Sequence, residues 1–191
     1  MSYYDVDAIL TDGECKISDT DSHRPQKVPC TFELDVPYLG HLDNSTTGLK
    51  PGTALSLPLW LAEMLALAST GDSKAPLILN MPPCLSEQVI AALRADPRSV
   101  TLREQNVHLY GVGVRMLDLF DERELGNTLR KTFVVRAGEV GLHARKADDG
   151  SLGGQGEEFL RGLEEWERSL FRRAHEGVKS AKEWTEKVKK S

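Results

Sequence analysis

The C-terminal segment constrains the fold more than any other part of the chain. From Phe159 onward, Leu163, Trp166, Leu170, Gly177, Ala181, Trp184 and Val188 recur at alternating spacings of three and four, over about four heptads, which places one apolar stripe along a helix. Glu157 and Glu158 at the start, with Lys187, Lys189 and Lys190 at the end, suit the helix dipole. The spacing predicts one helix over about 157–189. At roughly thirty residues it would be about 45 Å long, more than a small bundle of shorter helices can cover. Part of the stripe is therefore expected to lie on another polypeptide, with Trp166 and Leu170 near the middle and Arg168 on the exposed face.

The chain before this helix divides in composition. Up to residue 85, Gly and Pro punctuate short alternations: Cys30, Phe32, Leu34 and Val36 form one face of a predicted strand, and Ala54-Leu55-Ser56-Leu57-Pro58 runs into Leu59-Trp60-Leu61-Ala62. Pro58 suits a first helical turn, where its missing N–H has no intrahelical partner. The helix expected over 59–69 carries Trp60, whose ring is expected to fill the corner. Leu77–Leu79 reads as a short strand, and Met81-Pro82-Pro83 favours an extended link. From Ser86, a candidate N-cap, the period becomes helical: a helix stopped by Asp96-Pro97, a second over 106–120, a third over 122–145, a Gly- and Asp-rich loop over 147–156, then the long helix. In the second, Gly111 and Gly113 cost about 1 kcal/mol each relative to alanine, so a closely packed neighbour is expected. The predicted fold is α+β: a small β-rich domain over 1–85 and an all-α bundle over 86–191.

Charge is distributed unevenly between these parts. The chain's net charge of −5 originates in residues 1–85, which hold eleven acidic and five basic side chains and so carry −6, whereas 86–156 are neutral and 157–191 carry +1. No basic stripe of the kind that grips phosphates is visible, so tight direct nucleic-acid binding by this chain is not expected. Three widely spaced cysteines suggest a reducing compartment, and neither a membrane span nor a leader is readable.

Chemistry-bearing clusters resolve into structural roles. Cys15, His23 and Cys30 lack the paired spacing of a zinc site, and His108, His143 and His175 accompany no nucleophile turn. Gly111-Val112-Gly113 and the 150–156 glycines lack the endings of phosphate-binding loops. Glu157, Glu158, Glu164, Glu165 and Glu167 read as a solvated helix start. No catalytic residue, metal or cofactor is assigned. The side chains singled out as interface or core are Leu57, Pro58, Trp60, Tyr110, Phe120, Phe133, Phe159, Leu163, Trp166, Leu170 and Phe171.

Several segments carry a family resemblance in order along the chain. Leu57-Pro58-Leu59-Trp60-Leu61-Ala62 resembles the LPLWLA signature of GINS subunits whose β-rich domain comes first. Tyr3-Tyr4-Asp5-Val6-Asp7-Ala8-Ile9-Leu10 resembles the family's opening helix, and Lys27–Phe32 with Tyr38-Leu39-Gly40 its first strand region. Ala95-Asp96-Pro97, His108-Leu109-Tyr110-Gly111-Val112-Gly113 and Leu163-Glu164-Glu165-Trp166-Glu167-Arg168-Ser169-Leu170-Phe171 are similar to its later motifs. The chain most resembles the third partner-of-Sld-five type. That resemblance implies a non-catalytic, nuclear subunit that assembles with three other GINS subunits into a heterotetramer, itself a scaffold for the MCM hexamer and Cdc45 in the replicative helicase. On the residues alone, a helical adaptor outside replication satisfies the same stripe.

Overall fold

A computed structural model describes residues 27–43, 48–68, 75–148 and 153–190. The predicted opening helix, Cys15 and His23 lie outside the described residues. The chain separates into two compact units, Met1–Pro83 and Cys84–Ser191.

In the first unit, β1 (Lys27–Phe32) is the centre of a three-stranded antiparallel sheet, flanked by β2 (Ala54–Pro58) and β3 (Leu77–Leu79). Side chains alternate across a strand, so Val28, Cys30 and Phe32 all enter the core. The strand is shorter than predicted. The Pro76 carbonyl accepts from the N–H groups of both Glu33 and Leu34 at 2.9 and 3.4 Å, and proline returns no N–H with which to extend the ladder. Leu34 and Val36 are only half-buried, and Val36 instead forms an isolated bridge to Leu49. Pro51-Gly52 makes the turn into β2: Thr53 N–H bonds the Lys50 carbonyl at 3.1 Å, and Gly52 has φ +86°, which the third position of a type II turn requires.

The helix α1 (Leu59–Leu67) follows β2 directly, with Pro58 as its N-cap rather than inside its first turn. Leu57, Leu59 and Ala62 bury themselves at this corner, and Trp60 does not: it is 48% exposed. The expectation that its ring fills the junction is overturned. Leu59-Trp60-Leu61-Ala62-Glu63-Met64-Leu65-Ala66-Leu67 is apolar nearly all round, so periodicity could not select the inward face; the strand phase does, since burying Leu57 and Leu59 turns Trp60 away.

Among the described residues, the second unit holds helices and no strand. After a 3₁₀ turn at Pro83–Leu85 come α2 (Glu87–Ala95), with Ser86 at its N-cap, α3 (Leu102–Gln105), α4 (Leu109–Leu119), α5 (Arg123–Asp148), α6 (Gly154–Arg161) and α7 (Glu165–Lys190). The helix predicted from residue 106 begins later because the Asn106 side chain accepts the His108 N–H at 2.7 Å, a local turn that competes with helix. A Cβ at Gly113 would collide with the Leu129 side chain of α5, so α4 and α5 approach closely there, as the glycine pattern required. The helix predicted over 122–145 runs on to Asp148, taking in the first residues of the expected loop.

The long C-terminal helix is two helices, which corrects the prediction of one. The Glu164 carboxylate accepts the Trp166 and Glu167 N–H groups at 2.6 and 3.3 Å, and the Glu167 carboxylate accepts the Glu164 N–H at 3.4 Å. This is a capping box built from two glutamates. Gly162 permits the break: a Cβ there would lie 2.9 Å from Thr101 Cγ2, and its carbonyl accepts the Arg103 N–H at 3.2 Å.

Candidate assembly surface

The capping glutamates lead to the most polar point of the helical core. Arg136 of α5 is 1% exposed and Glu167 of α7 is fully buried. The guanidinium donates to both carboxylate oxygens, Nε to Oε1 at 2.6 Å and Nη2 to Oε2 at 2.9 Å, the bidentate geometry of the strongest charged pairs. Its Nη1 donates to the carbonyls of Pro97 and Val100, each at 3.0 Å, and its carbon lies 4.9 Å from the centre of the Phe159 ring. Tyr110 of α4 donates its hydroxyl to Glu167 at 2.9 Å. Four elements and the turn after α2 thus converge on one ion pair, and its orientation fixes α7 against α5.

Two side chains of this cluster have pKa values shifted by their surroundings. Burial, then the Glu167 carboxylate, push the Tyr110 hydroxyl pKa far above its ordinary value. Burial raises Glu164 to about 8, against the lowering by the Trp166 and Glu167 N–H groups, and its Oε1 is buried with no hydrogen-bond partner. Glu164 and Glu167 were expected on a solvated face; both are fully buried, and only the neighbouring Glu157 and Glu158 face solvent. The signal that could have found them is the E-x-x-E spacing after Gly162, combined with Arg136 on the inward side of its helix.

The aromatic residues gather around this hub. Tyr110 meets Phe133 edge-on with centroids 5.2 Å apart and stacks with Trp166 at 6.1 Å; His143 lies 5.1 Å from Phe159, and Phe171 stacks with His175 at 6.0 Å. Leu163 and Leu57 are buried, whereas Pro58, Phe120, Phe133, Phe159, Trp166, Leu170 and Phe171 are half-buried. Trp166 stands in the first turn of α7 and not mid-helix, and Arg168 is half-buried rather than exposed. Cys30 and Cys84 are free and buried, and burial raises both thiol pKa values. Among the described residues no acidic, histidine and cysteine side chains cluster as a metal site, and no helix is long and apolar enough to cross a membrane.

What the unit leaves uncovered is more telling. The stripe is divided along its length: its first half lies on α4 and α5, while Gly177, Ala181, Trp184 and Val188 are exposed, Trp184 by 68%. Val134 and Leu142 of α5 are exposed as well, and Trp60, Met64 and Leu67 form an exposed row on α1 in the other unit. Single exposed apolar residues are ordinary, but rows at helical spacing mark interaction surfaces. The second unit is thus a helical bundle pinned by one buried ion pair, with an exposed apolar row along the second half of its last helix.

Comparison with known proteins narrows that class. Residues 4–67 match the PSF3 N-terminal domain, and residues 84–186 match the GINS complex protein helical bundle domain. The chain is 71% identical over 191 residues to the DNA replication complex GINS protein PSF3 of Gibberella zeae, covering 100% of each. It is 45% identical to that of Aspergillus fumigatus over 100% of this chain and 99% of the relative. With the Saccharomyces cerevisiae protein of the same name it shares 32% over 96% and 98%. The chain belongs to the PSF3 family of GINS proteins.

Proposed function

We propose that this chain is a non-catalytic subunit of the GINS heterotetramer, joining three other GINS subunits through its helical unit and acting in the nucleus in DNA replication. In the replicative helicase the tetramer bridges the MCM hexamer and Cdc45, and this chain contributes protein surface, with no tight nucleic-acid contact of its own. The observation that carries the reading is the exposed second half of the α7 stripe, from Gly177 to Val188, in a chain whose relatives are named as GINS proteins. An exposed tryptophan and valine on a rigid helix are the kind of anchor that dominates interface energy. Co-expression with the three other GINS subunits, followed by size-exclusion chromatography, tests it. The expected result is one peak holding all four chains; a separate peak for this chain, with the other three assembled without it, contradicts the proposal.

A further inference from the structure

We propose that the outer edge of β2 receives an extended segment of a protein outside the four-chain complex, paired strand to strand, with apolar side chains at alternate positions and Lys or Arg at its flanks. This edge belongs to the first unit, whereas the assembly reading uses the helices of the second. As the central strand, β1 turns its backbone groups alternately to its two neighbours. The odd positions serve β3: the Asn80 N–H donates to the Pro29 carbonyl and the Glu33 N–H to that of Pro76, each at 2.9 Å. The even positions serve β2: the Phe32 N–H donates to the Thr53 carbonyl at 2.9 Å, and the register sets Cys30 against Leu55 and Val28 against Leu57. The N–H and C=O groups of Ala54 and Ser56 therefore point away from β1. They stand about 7 Å apart, two residues of extended chain.

The two edges of the sheet differ in what covers them. On β3 the outward groups belong to Leu77 and Leu79, only 1% and 7% exposed as whole residues, so no further strand can reach them; α1 packs against this strand. On β2 the outward residues Ala54 and Ser56 are exposed. Edges are usually blunted by charged side chains, proline or a bulge. Ala54-Leu55-Ser56-Leu57-Pro58 holds no charged residue. Pro58 closes one end, having no N–H to give, and the bulge at which Gly52 and Thr53 both bond Phe32 closes the other. Between them stays a window of two donors and two acceptors. The side chains add a second observation: Leu55 lies on the inward face opposite Cys30, which is 1% exposed, yet Leu55 is only half-buried. The inward face lacks one neighbour there.

Hydrogen bonding and charge select the occupant. Donors and acceptors at strand spacing are met by an extended chain; a helix has already paired its own backbone groups, and phosphates have no donor for the two carbonyls. An apolar residue at every second position of the incoming strand would lie beside Leu55 and Leu57. Residues 1–85 carry −6, which favours basic flanks on the partner. The same charge opposes a second copy of this chain, since pairing β2 with β2 sets −6 against −6.

The test uses the complex of four co-expressed subunits. Short random peptides displayed on phage are selected on the wild-type complex, and the enriched ones are titrated as free peptides by fluorescence anisotropy. Ser56→Pro removes one outward N–H without touching the bonds to β1, and Leu55, within the strand, already has the extended backbone that a following proline requires. Ser56→Ala keeps the N–H. The enriched peptides should alternate apolar residues and carry Lys or Arg, bind Ser56→Ala as they bind wild type, and bind Ser56→Pro at least about tenfold more weakly. Hydrogen exchange of the wild-type complex needs no variant: the Ala54 and Ser56 amides should exchange freely without peptide and at least about tenfold more slowly with it. No enriched peptide, equal affinity for Ser56→Pro, amides already protected in the free complex, or a doubled complex that Ser56→Pro abolishes would each overturn the edge assignment and leave the assembly reading standing. Failure of the four chains to assemble would remove the assembly reading alone, and peptide selection on the wild-type chain by itself would then decide the edge.

Discussion

Removing the Arg136 guanidinium should be among the costliest single changes in the helical unit. It strands the Glu167 carboxylate, fully buried, together with the carbonyls of Pro97 and Val100, and breaking one side of a buried pair costs about 3–5 kcal/mol. Chemical denaturation of Arg136→Ala should show that loss, while Arg136→Met paired with Glu167→Leu should recover part of it, because replacing both charges removes the stranded one. A second residue-scale expectation concerns pH. Glu164 is raised from 4.5 to about 8, so the folded state holds a proton that the unfolded state has released. Its stabilising contribution is complete below pH 4.5 and is lost as pH rises through about 8. Glu164→Gln keeps the capping oxygen and cannot ionise; melting temperature against pH should flatten for it between those limits, and an unchanged profile would show that Glu164 is ionised in the fold. Neither glutamate's burial follows from its own segment, since a run of acids at a helix start looks solvated until the inward Arg136 is set against the E-x-x-E spacing. Trp60 misled for the converse reason: a helix apolar on every side gives no phase.

Elements were legible where a single principle governed them. The period-two alternation located β1 and β2, and Ser86 with Asp96-Pro97 bounded α2. The error at the C-terminus arose because the apolar spacing continues through Gly162-Leu163-Glu164, where Leu163 remains buried although the backbone leaves the helix. A stripe records which residues are buried and is indifferent to a cap inserted within it. The same glycine chemistry should yield opposite outcomes on two helices. Gly113→Ala drives a methyl into Leu129 and should destabilise the chain by about 1 kcal/mol or more. Gly177→Ala meets nothing and should stabilise it by up to about 1 kcal/mol. Thermal unfolding of the two variants checks the pair; equal shifts of one sign would mean that the α4–α5 contact is looser than the geometry indicates.

At the scale of the whole molecule, acidity and extended structure occupy one unit and the helical stripe the other, with the division at Pro83 and Cys84. On the proposed reading, the 84–191 fragment should enter the complex without the first unit, and co-purification with the three other subunits would show it; exclusion of the fragment while the full chain enters would assign assembly to the β-rich unit instead. The sequence could announce that a long apolar stripe needed a surface, but not where the chain's own bundle would stop covering it, because that depends on where α5 ends beside α7. The most direct measurement is native mass spectrometry of the four co-expressed chains, comparing wild type with the double variant Trp184→Glu and Val188→Glu. Both positions are exposed, by 68% and 55%, so the substitutions leave this chain's own core untouched, while charge placed in an apolar contact is strongly unfavourable. The expected result is one copy of each subunit for wild type and loss of the double variant from the complex; equal incorporation of both would contradict the claim that the uncovered end of α7 is an assembly surface.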